Sequence, residues 1–391
     1  MRIAHVTDCY LPRMGGIERQ VHGLATAQLA AGHDVEVITS VPGPHGAGVV
    51  TGSQAAGDAL AVIGPDRPGL RPGSIRYATS LRGRRAVIDG GYDLVHVHAS
   101  TFSPLSYLAA GAASRSGVAT VATLHSLWSY ATPIFRGFDA ALDWRRWPIT
   151  WTAVSTVAAQ SLSQVLLPGT EISVLPNGVS PELWQVERSP RDPRRVVIVS
   201  VMRLAARKRP MQLLKMLRLA RAQVPADIAV EVQIIGAGPK RQPMLDYLQR
   251  HRMTDWVQLS GQLDQPAIRQ RLADADLYIS PATLESFGIA ALEAHCAGLP
   301  VLAFAQTGVS DFIEHQRNGL LVDTDEQMTS ALAALIRTPS ARAALAGDLQ
   351  ADWNYSWARV LDTCEQVYQR AVEQARAWPA SSAPVAALRN G

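Results

Sequence analysis

The sequence predicts an α/β protein of two domains, each a doubly wound parallel sheet covered by helices. Its 391 residues suffice for two domains of ordinary size. Strand-like and helix-like segments alternate along both halves of the chain, as they do in parallel sheets with crossover helices. Between the halves, Pro181, Pro190 and Pro193 mark a connector. We therefore expect one domain at 1–178 and a second at 179–352.

In the first half, short apolar runs predict strands and longer periodic segments predict helices. The predicted strands are 3–7, 35–38, 60–63, 94–98, 119–124, 151–154 and 172–175. The predicted helices are 17–31, 104–116 and one that ends near 167. Residues 42–75 are dense in Gly and Pro and predict a long irregular loop, a kind that is usually functional or mobile.

The second half repeats the pattern. Its predicted strands are 196–201, 228–235, 257–259, 277–280, 301–303 and 320–322. A last helix at 353–377 carries a heavy aromatic load for a terminus, and 378–391 is rich in Ala, Ser and Pro without periodicity. We expect a disordered tail there.

The composition is that of a globular protein, with 47% hydrophobic and 18% charged residues. No apolar run is long enough for a transmembrane helix, and no signal-peptide core follows Met1. Cys9, Cys296 and Cys364 are far apart and predict reduced thiols in a cytoplasmic protein. Only three of the 37 Lys and Arg residues are lysines, which is typical of a GC-rich bacterial genome.

The net charge is +4 and the pI is near 9.1, so the chain is mildly basic. This balance suits anionic substrates or an anionic membrane surface, and an ordinary solvated exterior equally well. No nucleic-acid partner is expected.

The most informative segment is 280–304, for which we expect a helix from 286 to 297. Glu285 would stand at the helix entrance and Glu293 two turns in, so their carboxylates would lie roughly 12 Å apart along the axis. The N–H groups at a helix start favour an anion. They belong here to Ser286, Phe287, Gly288 and Ile289. Such an element can hold a sugar, a diphosphate and a ribose in a row; the structural alternative is a capping Glu285 and a solvated Glu293.

The Glu-x7-Glu spacing, the Ser-Phe-Gly after Glu285 and the Ala-Gly-Leu-Pro-Val exit resemble the signature of retaining glycosyltransferases of the GT-B fold, in particular family 4 (glycosyl transferases group 1). The resemblance covers roughly 1–375. It implies two Rossmann-like domains facing across a cleft, an acceptor domain first and a nucleotide-sugar donor domain second, with the C-terminal helix crossing back to the first. It also implies that Glu285 contacts the donor sugar and Glu293 the ribose hydroxyls, with the Ser286–Ile289 amides on the pyrophosphate.

Two cations follow the first strand of the second half, at the carboxyl end where doubly wound sheets bind ligands. The resemblance implies that Arg203 and Lys208 clamp the donor diphosphate. A compact ammonium in a chain that nearly always uses Arg suits a phosphate partner. Most relatives have Gly after the Lys, whereas this chain has Arg209. The alternative is a solvated basic loop.

Several glycines lie where the family binds the donor. Gly236 and Gly238 form a Gly-x-Gly-Pro after the strand at 228–235, and Gly261 matches the glycine beside which the base stacks; plain tight turns are the alternative. Gly15 and Gly16 open the first helix, and the family uses this loop over the donor phosphates. The six-residue dinucleotide fingerprint is absent, which disfavours an NAD enzyme.

Three histidines end strands of the first half. His125 matches the histidine that the family places near the reacting sugar, His98 lines the same region, and His96 is expected to be packed. Two histidines at i and i+2 share a strand face, but no partner has convincing spacing, so we predict no metal. Asp274-Ala-Asp276 resembles the metal-binding Asp-x-Asp of another glycosyltransferase fold, and its position before a strand predicts a structural role.

The residues together predict a retaining, metal-independent glycosyltransferase that moves a hexosyl unit from a nucleoside diphosphate sugar to a hydroxyl acceptor. No cofactor is expected, because the nucleotide sugar is a substrate. Catalytic roles fall to Glu285, His125, Arg203 and Lys208. A non-hydrolysing nucleotide-sugar epimerase of the same fold is the alternative enzyme, and a catalytically dead scaffold is a third reading.

Two classes of acceptor are compatible with the sequence. The loop at 42–75, the basic residues Arg82, Arg84 and Arg85 and the Trp144-Arg-Arg-Trp147 segment all lie in the first domain. They favour a lipid-linked or cell-envelope acceptor, with peripheral association at the inner face of the plasma membrane. Trp144–Trp147 also fits an amphipathic helix on the domain surface, and the basic balance equally suits a small soluble acceptor such as a sugar or inositol phosphate.

Overall fold

The computed structural model describes residues 1–11, 15–41, 49–50, 61–63, 82–128, 131–186, 192–346 and 354–378. The chain forms two compact units. Unit 1 contains the described residues from Met1 to Gly178 and the C-terminal helix, and unit 2 contains those from Val179 to Ser356. Most of the predicted loop at 42–75, the predicted helix start at 353 and residues 379–391 of the predicted tail lie outside the described residues.

Each unit is built on one sheet. The strands of unit 1 are β1 (Arg2–Thr7), β2 (Asp34–Thr39), β3 (Val49–Val50), β4 (Ala61–Ile63), β5 (Leu94–Ala99), β6 (Ala119–Leu124), β7 (Thr150–Ala153) and β8 (Ile172–Val174). The strands of unit 2 are β9 (Arg195–Val201), β10 (Ala229–Ile235), β11 (Val257–Gly261), β12 (Leu277–Ile279), β13 (Val301–Phe304) and β14 (Gly319–Val322).

Helices follow most of the strands. They are α1 (Gly16–Ala30), α2 (82–89), α3 (Pro104–Arg115), α4 (Thr132–Leu142), α5 (Thr156–Ser163), α6 (Pro181–Trp184), α7 (Pro210–Arg221), α8 (Arg241–Arg250), α9 (Gln265–Ala273), α10 (Ile289–Cys296), α11 (Asp325–Arg337), α12 (Pro339–Ala344) and α13 (Trp357–Ala377). None of the described helices is both long and apolar enough to cross a bilayer.

The sheet of unit 1 has the strand order β3-β4-β2-β1-β5-β6-β7-β8. All neighbouring pairs are parallel except β3 with β4, and β3 is a strand that the sequence pattern did not reveal. Every residue of β5 and β6 is buried, as expected for strands covered on both faces. The order reverses between β1 and β5, so the loops that follow these two strands diverge, and doubly wound sheets bind ligands at such a switch point.

The sheet of unit 2 has the order β11-β10-β9-β12-β13-β14 and is parallel throughout. This is the 3-2-1-4-5-6 order of the Rossmann fold, with its switch point between β9 and β12. Apolar side chains from these strands and from α7 and α11 form one buried cluster. The switch point therefore stands at the carboxyl ends of β9 and β12, which lead into the predicted donor motifs.

The C-terminal helix α13 completes unit 1. Its buried residues recur at helical spacing on one face: Val360, Cys364, Val367, Tyr368 and Ala371. This face packs on α1 and β6 and joins the apolar cluster of unit 1. The helix begins at Trp357, four residues after its predicted start, and packs on the first domain as the resemblance implies.

The structure corrects the interpretation of the Trp144–Trp147 segment. Residues Trp144–Arg146 form a single 3-10 turn, and the Trp144 side chain is buried among aromatic rings, with its indole N–H donating to the carbonyl of Phe135 (3.1 Å). Trp147 packs against Gly111 on α3, under the guanidinium of Arg115. Neither ring is presented for a bilayer, and the segment is not an amphipathic surface helix.

Candidate active site

The switch point of unit 2 brings two predicted catalytic residues together. Lys208 ends a 3-10 turn after β9, and Glu285 lies in the loop after β12. The Lys208 ammonium donates a hydrogen bond to the Glu285 carboxylate, and only 22% and 16% of the two side chains remain exposed. Arg203, in the same loop as Lys208, is exposed. The loop is thus not simply a solvated basic loop, because its lysine is engaged by a glutamate from a neighbouring strand end.

Arg209, which replaces the usual glycine, fixes this loop. Its backbone is left-handed (φ 55°), the conformation that explains a glycine at this position. Its guanidinium donates to both carboxylate oxygens of Asp325 (2.8 and 2.6 Å) and to the carbonyl of Pro281 (3.2 Å), and lies 5.2 Å from the centre of the Phe304 ring. One side chain therefore connects the loops that follow β9 and β12 with the start of α11. No sequence motif indicates these contacts.

The glycines of the Gly-x-Gly turn allow the loop after β10 to contact the backbone of the loop after β9. A Cβ at Gly236 would lie 1.8 Å from the carbonyl oxygen of Met202, and one at Gly238 would lie 2.5 Å from that of Leu204. The amides of Met202 and Leu204 extend the pairing of β9 with β10 by donating to the carbonyls of Ile235 and Ala237 (both 2.9 Å). The Gly236 amide in turn donates to Gly261 (2.7 Å). The predicted donor glycines thus support the Arg203 loop directly.

The helix of the Glu-x7-Glu segment begins later than predicted. It runs from Ile289 to Cys296, and Gly288 precedes it in the left-handed region (φ 93°). Ser286 and Phe287 therefore lie in the loop, and Glu285 neither enters nor caps the helix. The predicted spacing of the two carboxylates along one helix axis does not apply. A left-handed glycine breaks the regular helix because it changes the direction of the chain.

A second glycine, Gly308, holds the Glu285 loop in place and was missed by sequence reasoning. Its amide donates to the carbonyl of Glu285 (2.9 Å). A Cβ at Gly308 would lie 2.2 Å from the carbonyl oxygen of Ser286, so only glycine permits this approach. The loop is thus fixed from two sides, by Gly308 and by the Lys208 ammonium.

Glu293 is buried in α10 rather than solvated, with 4% of the residue exposed. Burial raises the pKa of the Tyr278 hydroxyl on β12, and the carboxylates of Glu285 and Glu293 raise it further. Both glutamates therefore act electrostatically on the same tyrosine.

Asp276 has the structural role predicted for it, because its carboxylate accepts from the Val197 amide at 2.8 Å.

In unit 1, His125 follows β6 and lines a small recess at the carboxyl edge of the sheet. The recess has about 280 Å³ of empty space, including the part that is open to solvent. The lining of the recess also includes His96, His98, Thr123, Gln20 and Trp357. The Gln20 amide exchanges two hydrogen bonds of 2.8 Å with the Gly178 backbone, which fixes the chain after β8. The structure thus brings together the two histidines that were expected in one region.

Gly15 and Gly16 open α1, as predicted. Gly15 is extended (φ −165°), and a Cβ there would lie 2.3 Å from a carboxylate oxygen of Glu18. A carboxylate therefore already lies beside this helix start. A role for the two glycines over the donor phosphates stays a prediction.

The buried histidines of unit 1 form a cluster that His5, on β1, completes. One nitrogen each of His5, His96 and His98 lies within 4.8 Å of the others, a spacing that a metal ion can use. Each of the six ring nitrogens, however, is in a hydrogen bond with a side chain. A metal would have to replace these bonds.

Comparisons with known proteins agree with this architecture. The family model described as Glycosyltransferase Family 4 matches residues 14–183, and the model described as Glycosyl transferases group 1 matches residues 185–348. The glycogen synthase of Mycobacterium tuberculosis is 27% identical over 94% of this chain and 94% of its own length. The D-inositol 3-phosphate glycosyltransferase of an Arthrobacter species is 26% identical over 92% of this chain and 91% of its own.

Among solved structures, the Anabaena protein Alr3699/HepE in complex with UDP and glucose superposes with a TM-score of 0.72. The two sequences are 17% identical, and the superposition covers 95% of this chain and all of the Anabaena chain. That likeness shows the GT-B fold. Together, the two family models match nearly all of the chain from residue 14 to residue 348. The chain therefore belongs to the group 1 glycosyltransferases, family 4, with the GT-B fold.

Proposed function

We propose that this protein is a retaining glycosyltransferase that moves a hexosyl unit from a nucleoside diphosphate sugar to a hydroxyl acceptor. The observation that carries the proposal is the contact of Lys208 with Glu285 at the switch point of unit 2. A cation and a carboxylate are both needed there, one for the departing diphosphate and one for the sugar hydroxyls. An epimerase would need further acid and base carboxylates beside the sugar.

Arg203, Lys208 and the amides at the start of α10 stabilise the diphosphate as it leaves. Negative charge develops on that group when the bond from the sugar to the phosphate breaks, and fixed donors aimed at it lower the barrier. Helix starts favour such an anion. The Lys208 ammonium has three donor hydrogens, so it can keep Glu285 and bind a phosphate oxygen. No step of this scheme needs a metal ion or a protein nucleophile.

The two glutamates and His125 complete the assignment. Glu285 contacts the donor sugar, and Glu293 binds the ribose hydroxyls. His125 contacts the reacting sugar or orients the acceptor. The donor phosphate takes the proton of the acceptor hydroxyl on the face from which it leaves, so the new bond keeps the anomeric configuration. Exclusion of water limits donor hydrolysis.

The first experiment tests the donor. A thermal-shift panel compares UDP, GDP and ADP with their sugars; a ligand at 100 times its Kd stabilises the folded state by about 2.7 kcal/mol. UDP sugars come first because the Anabaena protein was solved with UDP and glucose. Transfer to simple hydroxyl acceptors is then followed by NMR of the anomeric proton, with and without EDTA. An inverted product, epimerisation without transfer, or loss of activity in EDTA would contradict the proposal.

We propose a lipid-linked or cell-envelope acceptor, reached at the inner face of the plasma membrane. Two large apolar side chains at the carboxyl edge of unit 1 support this: Phe102 after β5 is 70% exposed, and Ile134 in the first turn of α4 is 62% exposed. The hydroxyl groups of Thr101, next to Phe102, and Ser126, after β6, share a hydrogen bond (3.2 Å). The glycogen synthase and inositol-phosphate relatives support the competing soluble acceptor.

Liposome flotation separates these acceptors. Binding is expected to rise with the fraction of anionic lipid and to fall with salt, because exposed charges are screened beyond about 10 Å at 0.1 M. The Phe102→Ser/Ile134→Ser double variant should float less, whereas Leu219→Ser, which changes a half-exposed leucine of unit 2, should float like the wild type. Absence of flotation at low salt on strongly anionic vesicles would favour the soluble acceptor.

A further inference from the structure

One polar side chain in the recess of unit 1 is deeply buried and has no partner in the protein. Asn177 follows β8, lines the recess and is 6% exposed. Its side-chain amide makes no hydrogen bond within the part of the chain that the structure describes. A primary amide can donate two hydrogen bonds and accept through its oxygen, and buried amides ordinarily use this capacity. The capacity of Asn177 is therefore left for a ligand.

Other polar side chains of the lining are already engaged within the protein. The Gln20 amide is held by its two hydrogen bonds to the Gly178 backbone. Both ring nitrogens of His96 and of His98 are in hydrogen bonds with side chains. These bonds fix the wall of the recess and use the polar atoms that form it. Asn177 differs from these residues because its amide is available.

The backbone on both sides of Asn177 is restricted. Before it, the ring of Pro176 fixes one backbone dihedral. After it, Gly178 is bonded to Gln20 and packs on Trp357, since a Cβ at Gly178 would lie 2.4 Å from an atom of the indole ring. An amide on so restricted a backbone loses little conformational entropy when a ligand binds to it.

The recess suits an uncharged ligand. Among the described residues that line it, none is Asp, Glu, Lys or Arg. Burial lowers the pKa of His125 to about 4 and the pKa of His96 and His98 well below the usual value, so the three imidazoles are neutral at pH 7. A charged group that entered this space would lose hydration without gaining a counter-charge.

A ring that carries hydroxyl groups matches this lining. A hydroxyl both donates and accepts, so it can pair with the oxygen and with the N–H groups of the Asn177 amide. Leu24, Leu175 and Val360 in the lining offer apolar surface to the C–H groups of such a ring. A sugar or a cyclitol presents both kinds of group, whereas a phosphate presents charge and no apolar surface.

We infer that the recess of unit 1 is a binding site for an uncharged polyhydroxylated ring, and that Asn177 hydrogen-bonds one of its hydroxyl groups. The binding of such a ring follows from the lining alone. Its place in the reaction rests on the proposed function, in which the ring is either the hexose of the donor or the ring of the acceptor. The two sources differ in which substrate affinity depends on Asn177.

Saturation-transfer difference NMR with glucose and with myo-inositol tests the site without turnover. We expect the wild type to give a signal that is strongly reduced in Asn177→Leu, which keeps the number and branching of the heavy atoms but removes the amide. Asn354→Leu, at an exposed position of unit 2, is the matched control and should bind like the wild type. Excess inorganic phosphate should leave the signal in place. Absence of a signal from the wild type, an unchanged signal in Asn177→Leu, or displacement by phosphate would overturn the inference.

The unpartnered amide also predicts the effect on stability. Asn177→Leu breaks no hydrogen bond within the protein and removes polar atoms from a buried position, so its Tm should be equal to or above that of the wild type. Asn177→Ala, which is too small to clash with the lining, is the second variant and should bind the rings as weakly. A marked loss of thermal stability in both variants would show that the amide serves the fold, and the inference would be wrong.

Titration calorimetry and initial rates then identify the source of the ring. If the ring is the donor hexose, Asn177→Leu should weaken binding of the nucleotide sugar about tenfold, the size expected for one hydrogen bond, and leave the free nucleoside diphosphate unchanged. If it belongs to the acceptor, the KM for the acceptor should rise about tenfold with both nucleotide affinities unchanged. An equal loss for the nucleotide sugar and the free diphosphate, or no change in any of these values, would contradict the inference. If no transfer is found at all, the proposed function fails while the NMR of the free rings still tests the site.

Discussion

At the scale of single residues, the sharpest prediction concerns Arg203 and Lys208, the two cations proposed to bind the donor diphosphate. Lys208→Ala and Arg203→Ala should each lower turnover by roughly 10²-fold or more, because each removes a cation from the point where charge develops. Transfer rates at saturating donor measure this. Lys215→Ala removes an exposed lysine from α7 and serves as the matched control. Near-normal rates in both site variants would exclude this loop from the donor site.

The two glutamates should differ in which step they affect. Glu293→Gln is expected to weaken the binding of free nucleoside diphosphate, because the ribose is present in that ligand. Glu285→Gln should leave that affinity nearly unchanged and depress transfer, because the sugar is absent from it. Titration calorimetry with UDP and initial rates measure the two effects. An equal loss of UDP affinity in both variants would contradict the separate roles.

At the scale of elements, Arg209 predicts that loop position matters as much as loop charge. Arg209→Ala should lower turnover, because the Lys208 loop is no longer held to Pro281 and Asp325. Arg209→Gly relieves the left-handed backbone but also lacks the guanidinium, so it should be as slow as Arg209→Ala. Arg207→Ala, at an exposed position of the same turn, is the control. Full activity of the glycine variant would assign the effect to backbone strain instead.

A double-mutant cycle isolates the pair of Arg209 and Asp325. The coupling energy from urea unfolding of Arg209→Met, Asp325→Asn and the double variant should be about 0.5–1 kcal/mol. The value is modest because 38% of the Asp325 side chain remains in solvent.

The elements also show what the sequence could and could not predict. Strand positions and both sheets followed from apolar runs, because strands buried on both faces need continuous apolar side chains. The start of α10 did not, since Ser286 and Phe287 are compatible with a helix and only the left-handed Gly288 excludes them. The short β3 lacks any long apolar run, and its antiparallel pairing with β4 depends on tertiary context.

The site was predictable where a motif marked it and not where distant residues meet. Lys208 and Glu285 could each be located by their motifs, although their mutual contact could not. Asp325 is 116 positions from Arg209, and His98 is 93 positions from His5. No local pattern connects such pairs. A histidine within a central strand beside another histidine-bearing strand was the one available signal for His5.

At the scale of the whole molecule, the buried histidines predict how stability depends on pH. The folded-state pKa of His5 and His125 is about 4, against 6.5 for an unfolded histidine. Below pH 6.5 these two histidines therefore bind protons in the unfolded chain but not in the folded chain. The contribution of the two neutral histidines to the free energy of unfolding is fully present above pH 6.5. It is lost as the pH falls towards 4, at about 1.4 kcal/mol per pH unit for each histidine. Urea unfolding between pH 7.5 and 5 measures this, and a flat profile would contradict a neutral buried cluster.

The return of α13 to unit 1 has a consequence for the order in which the protein is made. Unit 2 is one uninterrupted stretch of chain, whereas unit 1 is assembled from two stretches, one before unit 2 and one after it. Domains fold as units during synthesis, so unit 2 has all its parts well before unit 1 does. Until α13 leaves the ribosome, His96 and Gln28 lack the Tyr368 hydroxyl and the apolar face of α1 lacks its cover. A chain cut short before Trp357 would thus retain the residues of the proposed donor site in a folded unit 2 and lack the cover that α13 gives to unit 1, so α13 must be translated before the surroundings of the unit 1 histidines are complete.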